Sequence, residues 1–108
     1  MIGKTSVISA NTSTQTIVEN SAASGKVYKI NSVIISNIDG TNDADITVDL
    51  YRSSTSYKIA STVTVVADSS LCVISKENSI YLEEGDALRC VASADGDLQA
   101  MCSYEEIS

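Results

Sequence analysis

Residues 26–38 read Lys-Val-Tyr-Lys-Ile-Asn-Ser-Val-Ile-Ile-Ser-Asn-Ile, and this stretch decides the fold class. Tyr28, Ile30, Ile34 and Ile38 share one parity; Val27, Val33 and Ile35 share the other. The period is two rather than 3.6, and β-branched residues dominate. Around Val33-Ile34-Ile35 both parities are apolar, which predicts a central strand of a β-sandwich.

The flanking sequence repeats the theme on both sides. Upstream, Lys4–Ser9 and Thr14–Glu19 read as two strands, and 20–25 as a small, polar loop. Downstream, 39–45 (Asp-Gly-Thr-Asn-Asp-Ala-Asp) is a turn by its chemistry. Ile46, Val48 and Leu50 then alternate with Thr47, Asp49 and Tyr51, giving one buried and one wet face. A polar turn over Arg52–Ser56 leads into a strand over Tyr57–Ala67, with Ile59, Val63 and Val65 on one parity. Short strands follow at Leu71–Ser75 and Ser79–Leu82, separated by a turn at 76–78. Glu83-Glu84-Gly85-Asp86 forms a tight turn with Gly85 at positive φ. Leu88, Cys90 and Ala92 point inward, Asp95-Gly96-Asp97 is expected to close a hairpin, and Leu98, Ala100, Cys102 and Tyr104 form the inward parity of the last strand.

Eight or nine short strands punctuated by turns predict a single all-β domain, an antiparallel β-sandwich or jelly-roll-like fold. Residues 1–20 are read as an N-terminal strand or arm available for contact with another subunit, and 21–108 as the sandwich domain.

Composition narrows the function. The 108 residues suit one domain. There is no His, which removes the commonest general base and metal ligand, so Ser-His-Asp and Cys-His machinery is excluded and the chain is read as non-enzymatic. The net charge of −7 repels a phosphate backbone, and the tyrosines have no basic cluster beside them, so no nucleic-acid partner is expected. Cys72, Cys90 and Cys102 are odd in number and contain no C-x-x-C pair. They read as buried, reduced thiols acting as small hydrophobes, with any disulfide left open. The first ten residues carry no long apolar segment and no run spans a bilayer, so neither a signal peptide nor a membrane partner is expected, and synthesis is placed in a host cytoplasm.

Three constellations bear on chemistry. Asp39, Asp43 and Asp45 are candidate calcium ligands, because oxygen-rich loops hold that ion. They lack the spacing and distal Glu of an EF-hand loop, and turns are rich in Asp regardless. Asp95 and Asp97 raise the same question less forcefully. Glu83, Glu84 and Asp86 would suit paired-carboxylate hydrolysis only if something raised a pKa, and an exposed turn offers nothing to do so. Tyr28, Tyr51, Tyr57, Tyr81 and Tyr104 are scattered over strands, and Tyr51 shares the outward parity of Thr47 and Asp49, a position suited to an interface. No cofactor is expected.

The segment 79–94, Ser-Ile-Tyr-Leu-Glu-Glu-Gly-Asp-Ala-Leu-Arg-Cys-Val-Ala-Ser-Ala, continues into Asp97-Leu98-Gln99-Ala100 and Ser103-Tyr104-Glu105-Glu106-Ile107. It resembles small structural proteins of tailed bacteriophages, in which a strand ending "L-E-x-G-D" precedes one like "L-R-x-x-A-S-A" and a last strand closes on "S-Y-E-E-I". Residues 29–37 resemble their "I-x-S-I-x-I-x-N" strand. The resemblance implies a β-sandwich virion component, present in many copies as a homo-oligomer and bound to the major capsid protein or to neck or tail proteins. Capsid decoration is the favoured position, neck, collar or tail the alternative, and a carbohydrate- or ligand-binding sandwich the rival of another class.

Overall fold

A computed structural model describes residues 2–75, 77 and 79–107, so the expected turn at 76–78 lies largely outside the described residues. The described residues form nine strands: β1 (Ile2–Ala10), β2 (Gln15–Glu19), β3 (Val27–Asn37), β4 (Ala44–Arg52), β5 (Thr55–Val65), β6 (Ser70–Ile74), β7 (Ile80–Leu82), β8 (Ala87–Ala92) and β9 (Leu98–Ile107). Two antiparallel sheets pack together. Sheet A runs β1-β9-β3-β6, with β7 also on β3, and sheet B runs β2-β8-β4-β5. First strand beside last, and second beside next to last, is the double Greek-key order of a jelly roll.

The core lies between the sheets. Ile30, Val33, Ile35, Leu98, Ala100 and Cys102 from sheet A face Ile46, Val48, Leu88, Cys90 and Ala92 from sheet B, all buried. The inward parities expected for 46–50, 88–92 and 98–104 are those of the structure. Gly85 has φ of +86°.

Four features depart from the expectation, each for a physical reason. A bulge between Ile30 and Ser32 flips the parity of β3. Ile30 therefore shares the core face with Val33 and Ile35, while Ile34 and Ile38 turn outward. Two further register shifts in β5 take Ile59 off the face of Val63 and Val65. The turn at 95–97 closes no hairpin: β8 pairs with β2 and β4, β9 with β1 and β3, so the chain crosses from one sheet to the other. Cys90 and Cys102 thus approach the core from opposite sheets. Lastly, the N-terminal stretch, read as a strand or arm set apart from the 21–108 domain, supplies two strands of the sandwich itself. β1 pairs with β9 along its whole length, and Ala10, Ile17 and Val18 belong to the core.

Two buried asparagines tie the ends of the sandwich. Asn20 donates through Nδ2 to the carbonyls of Lys26 (2.9 Å) and Leu82 (3.0 Å) and accepts from Ser24 Oγ (2.6 Å). At the opposite end Asn37 donates to the carbonyls of Asn42 (3.0 Å) and Val65 (2.9 Å) and accepts from Asp39 N–H (2.9 Å). Each replaces the ladder bonds that the backbone loses where a strand leaves its sheet.

Candidate interaction surface

The carboxylates offered by the sequence are each engaged locally. Asp39 accepts from the backbone N–H groups of Thr41 (2.8 Å) and Asn42 (3.2 Å), which hold its carboxyl below the usual range. Asp43 accepts from Ala67 N–H (3.0 Å) and Asp45 from Thr64 Oγ1 (2.8 Å). Asp39, Asp43 and Asp45 are thus directed at three different backbone or hydroxyl partners. Among the described residues no group of three or more His, Cys, Asp or Glu is placed to hold a metal ion. Asp95 accepts from Thr12 N–H (2.8 Å), and burial together with the neighbouring Asp39 pushes Asp97 up.

The turn 83–86 departs from its expected exposure. Glu83 and Glu84 are exposed, but Asp86 is buried, because the turn folds it back under Arg52. Arg52 donates through Nε (2.9 Å) and Nη2 (2.5 Å), and Glu83 N–H donates at 2.8 Å. Burial alone would raise this carboxyl, but these donors outweigh it and lower the pKa.

Two further ion clusters escaped the sequence reading because they exist only across strands. On the outer face of sheet B, Arg89 grips Asp49 through Nε (3.0 Å) and Nη2 (3.1 Å), Ser56 Oγ donates at 2.6 Å, and the guanidinium covers the Tyr51 ring at 3.9 Å. Tyr51 therefore points outward as expected, but its ring face is already occupied. At one end of sheet A, Glu106 binds Lys4 (2.9 Å) and Lys26, and their hydrogen bonds pull its pKa down to about 2. The rings of Tyr28 and Tyr104 pack beside it in a tilted pair, centroids 5.4 Å apart. Of the cysteines, Cys90 and Cys102 are buried, and burial pushes their thiols up to about 11 and about 12, which leaves them inert. Cys72 contradicts the expectation of three buried thiols: it is exposed on β6.

The least explained surface is the outer face of sheet A. The register aligns Val7 of β1 with Met101 of β9, Met101 with Ile34 of β3, and Ile34 with Cys72 of β6. Val7 is 64% exposed, Met101 50% and Ile34 36%. An apolar row thus crosses the whole sheet in water. The rows on either side are Ser9-Gln99-Ser36-Ser70 and Thr5-Ser103-Ser32, without a charge. A shallow depression of about 380 Å³ opens against Val7, Ser9, Ser36, Gln99 and Met101. Apolar residues gathered in a continuous row, with polar residues around them, mark a contact surface rather than a solvated face.

No family model, curated protein or solved structure matches the chain.

Proposed function

We propose that this chain is a non-enzymatic structural protein of a tailed-phage particle, a capsid decoration protein in the first instance and a neck or tail component as the alternative. The observation that carries the reading is the apolar row Val7-Met101-Ile34 across the outer face of sheet A, a surface built to be covered. Two lines support it. The strand motifs at 29–37 and 79–107 resemble those of small phage structural proteins. The double Greek-key order is also one that viral capsid domains use, an argument by analogy of fold alone.

The working contact is burial of that row against another virion protein, with serines and threonines on either side supplying hydrogen bonds at the rim. The test is direct. Particles of the phage that encodes the chain are purified by density gradient and analysed by quantitative mass spectrometry and cryo-electron microscopy. Peptides of this chain in stoichiometric amount, with density for a jelly roll on the shell, support decoration. Copies confined to the neck or tail move it to the alternative position. Particles lacking the chain sink the reading.

A further inference from the structure

We propose that two copies of this chain pair antiparallel through β1, so that sheet A continues across a twofold axis. The inference rests on the assembly reading above and specifies one of its contacts.

The argument starts from the sheet edges. An edge strand offers a row of unpaired N–H and C=O groups, and proteins that remain monomeric blunt it by bulges, breaks or shortness. Three of the four edges here are blunted. β2 has five residues and a register shift between Thr16 and Val18. β5 shifts register twice against β4 and holds Thr62 in the left-handed region at φ +50°. The remaining edge of sheet A is divided between two short strands, β6 and β7. β1 is different. It runs nine residues in unbroken register with β9, from Ile2↔Glu106 to Ala10↔Leu98, and no other described strand pairs with its far side. The chain contains no proline. Lys4, the sole charged residue of β1, is drawn across to Glu106 on β9, away from the open edge.

Charge and edge length both fit a second copy. A chain of net charge −7 repels itself wherever its carboxylates meet, so self-contact needs an uncharged zone. The outward face of β1 itself is such a zone, with Thr5, Val7 and Ser9 along the strand. Nine residues make an edge about 30 Å long. Paired over that length, the strand would add a full antiparallel ladder of backbone hydrogen bonds to the side-chain contacts on either face. A contact of one edge with its own copy closes on itself, giving a dimer rather than a fibre. Full overlap centres the axis on Ser6, so Val7 lies opposite Thr5 of the second copy and diagonal to the Val7 of that copy, within side-chain reach. The two apolar rows then join.

The test uses the purified full chain. Sedimentation equilibrium over a range of concentrations is expected to give a dimer. Amide exchange is expected to slow, as concentration rises, at alternate residues of β1, those not bonded to β9. Val7→Lys places like charges across the axis and should weaken the dimer at least about tenfold. Val7 is 64% exposed, so circular dichroism should stay unchanged. Met101→Lys, on the same face but away from the edge, should leave the dimer intact. A monomer at every concentration overturns the proposal. So does a dimer that survives Val7→Lys and is lost in Met101→Lys, which would mean face-to-face packing, and so does a dimer whose β1 amides stay unprotected. A chain that dimerises yet is absent from particles leaves the pairing standing and removes the virion reading. A chain present in particles but monomeric in solution does the reverse.

Discussion

Asn37 shows how much a single polar residue holds in this fold. It is 3% exposed, and its side chain serves the carbonyls of Asn42 and Val65 and the N–H of Asp39. Replacing it by leucine keeps the bulk and leaves three backbone groups without partners in a dry site. Asn37→Leu is therefore expected to cost about 2–4 kcal/mol, read as a shift of the urea midpoint with an unchanged slope. Glu106 gives a second prediction at this scale. Its pKa falls from an ordinary value of 4.5 to about 2 through hydrogen bonds from Lys26 and Lys4. A depressed carboxylate adds stability that is fully present above its unfolded pKa and is lost as pH falls through the folded one. Thermal melts from pH 7 to pH 2 should show wild-type stability dropping below about pH 4.5, and Glu106→Gln should flatten that part of the curve. A variant whose acid slope matches wild type would disprove the assignment. Neither residue stands out in the sequence, where Asn37 sits at the end of an apolar run and Glu106 in an acidic tail. Val65 and Lys4 reach them from other strands, and local patterning carries no information about those.

At the scale of elements, alternation and turn residues were enough to place the strands, because the core faces of β4, β8 and β9 above all are written in Val, Ile, Leu, Ala and Cys at every second position. The failures come where the period of two breaks. The bulge at Asn31 puts Ile30 on the core face with Val33 and Ile35 and leaves Ile34 on the surface of a strand read as apolar on both faces, and nothing in the residues themselves announces it. Sheet partnership was equally hidden: Asp95-Gly96-Asp97 has hairpin chemistry, yet it spans the two sheets. The candidate surface was illegible for the same reason. Val7, Met101, Ile34 and Cys72 come from four strands and become a row only when the register is set. One turn invites improvement. Ser53 and Ser54 join β4 to β5 with φ of +52° and +61°, the left-handed pair that a type I′ hairpin turn needs. Serine fits this conformation poorly, whereas Asn-Gly favours it. Ser53→Asn with Ser54→Gly should raise stability by about 1 kcal/mol, measured as a higher urea midpoint. A neutral or lowered midpoint would mean that the serines make a contact beyond the turn.

At the scale of the whole molecule, charge is distributed unevenly. The loops 11–14, 38–43, 66–69 and 93–97 meet at one end, joined by bonds such as Ile38 N–H to the Asp97 carbonyl (2.8 Å) and Asp68 N–H to the Asp39 carbonyl (3.1 Å). Asp39, Asp43, Asp68, Asp95 and Asp97 lie in these loops and Asp45 stands beside them, without a lysine or arginine among them. This end repels itself, and the fold tolerates it because backbone N–H groups satisfy Asp39, Asp43 and Asp95. Asp97 is the least accommodated, raised first by burial and then by Asp39. A raised carboxyl stabilises the fold below its unfolded pKa of about 3.9, and that contribution is lost as pH rises through the folded value. Asp97→Asn should accordingly melt at a higher temperature than wild type at pH 7, and the difference should vanish near pH 3. Salt must act in the same direction. Raising ionic strength from about 0.01 M to about 0.15 M shortens the screening length from about 30 Å to about 8 Å, so wild type should gain in melting temperature and the variant should gain less. Equal salt responses in the two proteins would show that the Asp39–Asp97 contact carries no net repulsion, and that the cost of the acidic end is spread evenly over its loops.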